Sequence, residues 1–220
     1  MKPLKCSTSL WSADLSNLGT EIRRVEPHSD RFHLDVADGH YSPTMLFFPD
    51  LVEALRPHTD LELEVHLMTT DPLAWIGPFA VAGANLVIFC LNSAADPAAV
   101  VAAAAAVGIR AGASIEIAEE LELLEPLWSE LAVVTLMATE IGIKGASMDP
   151  TIPGKVERLV QLRRERGLAF EIEVDGGIRR HTVPLLAAAG ADYIVPGSLM
   201  FGEEPATMRR WLATLDRPRP

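Results

Sequence analysis

Eight short apolar runs, each followed by a segment of helical period, constrain this chain more than any other feature. The runs fall at residues 4–10, 31–36, 61–67, 86–90, 109–115, 132–137, 170–174 and 192–195. Short apolar runs alternating with helical segments read as parallel strands joined by crossover helices. Leu15, Leu18, Ile22 and Val25 recur at helical spacing after a cap at Ser12, and similar segments span 49–56, 72–82, 97–107, 118–127, 155–166, 180–189 and 205–215. Pro49, Pro72, Pro97 and Pro205 stand where a first-turn proline loses no hydrogen bond. AVAGANLVIF at 80–89 and AAAGADYIVP at 187–196 repeat one pattern of helix end, glycine cap and strand. Eight such units in 220 residues predict an α/β fold, a single (β/α)8 TIM barrel forming one domain over 1–220, with a frayed tail at 217–220. A doubly wound sheet is the runner-up.

Hydrophobic residues make up 49% of the chain without a membrane-length apolar run, so the expectation is a protein with no membrane partner. A net charge of −11 with no basic run argues against nucleic acid, and any anionic substrate must be held by local donors. Cys6 and Cys90 lack metal or redox spacing and read as reduced thiols. The opening MKPLKCSTSLW lacks a signal core or transit pattern, which points to the cytoplasm. Trp11, Trp75, Trp128 and Trp211 are scattered and read as packing residues.

His33 and Asp35 in FHLDVADG, His66 in LEVHLM and Asp175 in IEVDGG close three of the apolar runs. Side chains two apart share a strand face, so His33 and Asp35 point into the same end of a barrel. A lone strand-end histidine is usually a packing residue, and a lone DGG aspartate is usually a turn former. Two imidazoles and two carboxylates from three strand ends can instead converge on one divalent cation. Asp175-Gly176-Gly177 after the seventh run and Gly197-Ser198 after the eighth place small residues where backbone N–H groups can approach an anion. Gly142 and Gly145, after the sixth, would lid the same pocket.

The segments STSLWSADLSNLG, HLDVADGHYSP, LEVHLM, IEVDGGI and VPGSLMFG resemble, in order and spacing, the signatures of the ribulose-phosphate 3-epimerase family. The resemblance implies a sugar-phosphate-binding barrel with one divalent metal (zinc, iron, manganese or cobalt) held at His33, Asp35, His66 and Asp175. It also implies that Asp35 and Asp175 form the proton-transfer pair and that Ser9 positions the substrate. Met68 and Met137 match methionines that cover the site, and Gly142 and Gly145 match glycines of the phosphate loop. Removing the proton beside a ketone leaves an enediolate, whose charge a divalent cation stabilises as a Lewis acid. The implied activity is inversion at C3 of D-ribulose 5-phosphate, D-xylulose 5-phosphate or a related ketose phosphate, in a homo-oligomer.

The chain departs from that pattern at Ala37, Cys90-Leu91-Asn92, Glu116-Ile117 and Glu140-Ile141-Gly142-Ile143-Lys144-Gly145, positions expected on the substrate-facing rim. Glu116 and Glu140 add negative charge, and Lys144 adds a cation able to meet a phosphate. The preferred ketose phosphate is therefore open. Two other readings are a barrel isomerase or lyase working with a lysine, and a non-catalytic sugar-phosphate sensor. No strand-end lysine stands beside either aspartate, and a sensor needs no proton pair.

Overall fold

The computed structural model describes residues 3–215; the tail expected at 217–220 lies outside the described residues. Eight parallel strands close in sequence order into a barrel: β1 Lys5–Ser9, β2 Arg31–Ala37, β3 Leu63–Met68, β4 Leu86–Cys90, β5 Arg110–Ile115, β6 Val133–Met137, β7 Glu171–Asp175 and β8 Tyr193–Val195. The fold is a single (β/α)8 barrel.

Around it lie α1 Leu18–Val25, α2 Pro49–Leu55, α3 Ile76–Val81, α4 Pro97–Ala106, α5 Ile152–Glu165, α6 Val183–Ala189, α7 Ser198–Phe201 and α8 Pro205–Leu212. The period of two sorts each strand's residues. Phe32, Leu34 and Val36 of β2, Leu63, Val65 and Leu67 of β3, and Ile172 and Val174 of β7 join the core beneath the helices. Their neighbours Arg31, His33, Asp35, Glu64, His66 and Glu173 are the buried polar residues of the same strands and face the barrel axis. Burying one Phe or Leu of the outer shell stabilises by about 1.5–3 kcal/mol. The polar interior is thus carried by an apolar shell. Among the described residues no helix is long and apolar enough to cross a membrane.

The connections differ from expectation in four places. After β1 the chain makes a 3-10 turn over Leu10–Ser12, and α1 begins only at Leu18 with Asn17 at its cap. Ser12 is therefore no cap, and Leu15 lies outside the helix with 51% of its surface exposed. The segment expected as a helix over 118–127 forms a 3-10 helix, Leu121–Leu127. Its buried residues Leu121, Leu124 and Leu127 recur every third position, the 3-10 period, and Pro126 removes an N–H that an α-helix would use. The segment expected over 72–82 splits into a 3-10 turn, Leu73–Trp75, and α3. The four-residue α7, directly after β8, has no counterpart in the expectation.

Candidate active site

Parallel register brings the four strand-end residues to one level. Asp35 pairs with His66 across β2 and β3, and Asp175 ends β7 opposite Met137 of β6. One ligand-capable atom from each of His33, Asp35, His66 and Asp175 lies within 4.8 Å of every other. His33 Nε2 is 3.4 Å from Asp35 Oδ1 and 3.7 Å from Asp175 Oδ2, and His66 Nδ1 is 3.6 Å from Asp175 Oδ2. Ser9 Oγ donates to Asp35 Oδ2 at 2.8 Å.

The outer nitrogens of both rings are already engaged. His33 Nδ1 sits 2.6 Å from Glu64 Oε1, and a carboxylate only accepts, so Nδ1 carries a proton. Ser114 Oγ donates to the Phe89 carbonyl at 3.4 Å, leaving its lone pairs to accept the His66 Nε2 proton at 3.1 Å. His33 Nε2 and His66 Nδ1 consequently face the two aspartates, fully buried and without a hydrogen-bond partner. Burial costs such atoms their solvation with nothing in return unless a proton facing the aspartates or a metal cation takes their lone pairs. The donor set fits a divalent metal of the nitrogen- and oxygen-binding kind.

The electrostatics agree. Burial disfavours charge on His33, but Asp35, Glu64 and Asp175 outweigh it and hold its pKa well above the ordinary histidine value. His66 is likewise depressed by burial yet raised to about 10, chiefly by Asp175 and Cys90. Burial pushes Asp35 upward, while His33, His66 and Ser9 pull it further down, leaving it ionised. Two buried carboxylates demand positive charge, from protons on the imidazoles or from a cation.

Above this cluster a cavity opens at the C-terminal end of the barrel. Ser9, Asp35, Met68, Met137, Gly142, Lys144, Gly145, Asp175, Gly176, Gly177, Gly197 and Ser198 all line it; His33 and His66 lie beneath its floor. Gly177 has φ +62°, and a Cβ there would come within 2.3 Å of the Met148 backbone nitrogen. The β7 loop is thus pressed against the β6 loop, and only glycine permits it.

Residues outside the sequence expectation also line the cavity: Arg179, Thr139 and Trp11, the last having been read as a packing residue. The basic pair in IEVDGGIRR was the available signal for Arg179. Lys144 Nζ donates to the Trp11 carbonyl at 2.8 Å and lies 5.6 Å from its ring centroid, while Arg179 donates to its neighbouring Ile178 carbonyl at 2.9 Å. Glu140, Gly142, Ile143, Lys144 and Gly145 line the cavity, but Ala37, Cys90, Leu91, Asn92, Glu116 and Ile117 do not, contrary to their expected place on its rim. Glu116 accepts from the Tyr41 hydroxyl at 2.6 Å and from Asn92 Nδ2 at 2.8 Å, and Lys155 Nζ holds the Glu116 and Ile117 carbonyls. That rim is spent on its own hydrogen bonds.

Residues 5–201 match the model of the ribulose-phosphate 3 epimerase family. The chain belongs to that family. It is 34% identical over 202 residues to the ribulose-phosphate 3-epimerase of Bacillus subtilis (strain 168), covering 91% of this chain and 93% of that one. The ribulose-phosphate 3-epimerase of Treponema pallidum (strain Nichols) is 36% identical over 194 residues, 88% of this chain and 89% of that one. The protein is an isomerase, an epimerase acting on carbohydrates. A crystal structure of 3-keto-L-gulonate-6-phosphate decarboxylase from Vibrio cholerae shares the fold, with a TM-score of 0.71 at 17% identity over 98% of this chain and 99% of that one.

Proposed function

We propose that the protein is a metal-dependent epimerase that inverts C3 of a ketose phosphate, either D-ribulose 5-phosphate and D-xylulose 5-phosphate or a related pair. The observation that carries this reading is the convergence of Asp35 and Asp175 with two buried, unpartnered imidazole nitrogens under one cavity.

Inversion requires one base to take the C3 proton from one face and one acid to return it to the other. Asp35 and Asp175 come from different strands, β2 and β7, and both line the cavity, so a substrate seated there meets a carboxylate from each. They exchange roles with the direction of reaction. Ser9, hydrogen-bonded to Asp35, fixes the rotamer of that carboxylate. Met68 and Met137 supply apolar cover that keeps water from the bared carbon. A divalent cation held by His33, Asp35, His66 and Asp175 would supply Lewis-acid stabilisation of the charge developing on the substrate oxygens.

The phosphate end lies among Gly176, Gly177, Gly197 and Ser198, where backbone N–H groups can approach an anion. Lys144 and Arg179 add two cations without a carboxylate partner among the described residues. Both cysteines are buried and free, with burial raising the Cys6 thiol to about 12, which suits a protein of the reducing cytoplasm.

The test is incubation of metal-loaded protein with D-ribulose 5-phosphate in deuterated water, following C3 by NMR. Deuterium at C3 with formation of D-xylulose 5-phosphate is the expected result, lost on chelation. Turnover that survives complete metal removal would sink the metal-dependent part. Exchange with a hexulose or tetrulose phosphate alone would move the substrate.

A further inference from the structure

Two residues before the first ligand-bearing position of each of the three strands, on the same inward face, the barrel carries a charged side chain. Arg31 precedes His33, Glu64 precedes His66, and Glu173 precedes Asp175. All three are fully buried, and they meet one layer below the site. Arg31 Nε lies 2.6 Å from Glu64 Oε2, and Arg31 Nη2 lies 2.5 Å from Glu173 Oε2. The guanidinium stacks 3.7 Å from the Tyr193 ring centroid, and Nη1 reaches Glu171 at 3.0 Å. One guanidinium therefore ties together β2, β3 and β7, the three strands that deliver all four ligand-capable residues.

A directed chain runs from this cation to the site. The Arg31 Nε–H points to Ser7 Oγ at 3.3 Å, so its close approach to Glu64 Oε2 is an ion contact without an aligned hydrogen bond. Ser7 Oγ donates to Glu64 Oε1 at 2.9 Å, and that same oxygen accepts from His33 Nδ1 at 2.6 Å. Glu64 is hydrogen-bonded twice at Oε1 and in ion contact with Arg31 at Oε2, which fixes its orientation. With the His33 proton fixed on Nδ1, Nε2 can only face Asp35 and Asp175.

A buried ion network of this kind is a weak stabiliser, because apolar residues of similar volume serve equally well. Barrel interiors are ordinarily layered with branched apolar side chains, as Leu86 and Ile88 of β4 and Val133 of β6 are in this one. We infer that Arg31 is a positioning residue that, through Ser7 and Glu64, holds His33 Nε2 in place to bind the cation. The inference rests on the metal reading above.

The experiment measures metal affinity by chelator competition, together with the visible spectrum of the cobalt-loaded protein. It compares the wild type, Arg31→Lys, and the charge-balanced pair Arg31→Met with Glu173→Gln. Outer partners of a ligating histidine are typically worth 10–100-fold in affinity. The paired variant is expected to bind metal about 10–100-fold more weakly, with a shifted cobalt spectrum. Arg31→Lys, which keeps the charge and loses the fork, is expected to fall between them and serves as the measured variant if the paired one does not fold. Folded variants with wild-type affinity and spectrum, differing only in melting temperature, would reduce Arg31 to a structural role and overturn the inference. A wild type that binds no metal would overturn the metal reading itself, an outcome distinguishable because it appears before any variant is made.

Discussion

Asp35 Oδ1 and Asp175 Oδ2 approach the same atom, His33 Nε2, at 3.4 and 3.7 Å, although they come from strands far apart in the sequence. Two carboxylates turned toward one unpartnered nitrogen share a single centre of negative potential, and each also borders the cavity where substrate would lie. A substrate in that cavity would meet one carboxylate from each strand, as the proposed proton-transfer pair requires.

Asp35→Asn and Asp175→Asn each preserve shape and remove a proton acceptor. Each is expected to lower kcat by at least about 10²–10⁴-fold, the usual worth of a positioned acid or base. Circular dichroism should remain that of the wild type. A variant retaining more than a tenth of wild-type turnover would remove that aspartate from the proton-transfer pair.

The pH dependence of stability should flatten on metal loading. In the metal-free protein His66 is raised from its ordinary value to about 10. A raised folded-state pKa contributes stability that is fully present below the unfolded value near 6.5 and is lost as pH climbs toward about 10. Thermal melts of chelated protein should therefore decline across that window. Metal-loaded protein should resist the decline, because a cation replaces the imidazolium charge and binds better as protons leave. Parallel melting curves with and without metal would contradict this.

Lys144 and Arg179 should act on binding and not on chemistry. Arg179→Met is expected to raise KM for a ketose phosphate by about tenfold, the loss of one charge-assisted hydrogen bond. Lys144→Met should do less, because Lys144 is exposed and already bonded to the Trp11 carbonyl. In both, kcat should change little. Equal loss on the unphosphorylated ketose would mean that these cations do not serve the phosphate.

Gly177→Ala forces a Cβ to within 2.3 Å of Met148 N and 2.6 Å of its Cα, at φ +62°. Backbone atoms cannot step aside as a flexible side chain would, so a cost of about 1–3 kcal/mol is expected. That corresponds to roughly 2–4 °C of melting temperature per kcal/mol at this chain length. An unchanged melting temperature would show that the β6 and β7 loops can part at no cost.

The sequence by itself determined the barrel and the level of its site. The strands at Leu86–Cys90 and Val133–Met137 were legible because a parallel strand buried on both faces reads as a short, nearly continuous apolar run, and Arg31–Ala37 because its apolar residues alternate with inward-facing polar ones; both signals are local. The gathering of His33, Asp35, His66 and Asp175 followed from strand ends and the shared face, with the family resemblance beside it. The 3-10 form of Leu121–Leu127 was hidden because the same leucines satisfy a loose helical pattern until Pro126 is weighed. What only the tertiary structure decided was pairing at a distance. Closure of the sheet placed Arg31 between Glu64 and Glu173, brought Arg179 to the cavity wall, and turned Glu116 away to Tyr41 and Asn92. Charges gain their partners from register and barrel closure, which act between residues that no local period connects.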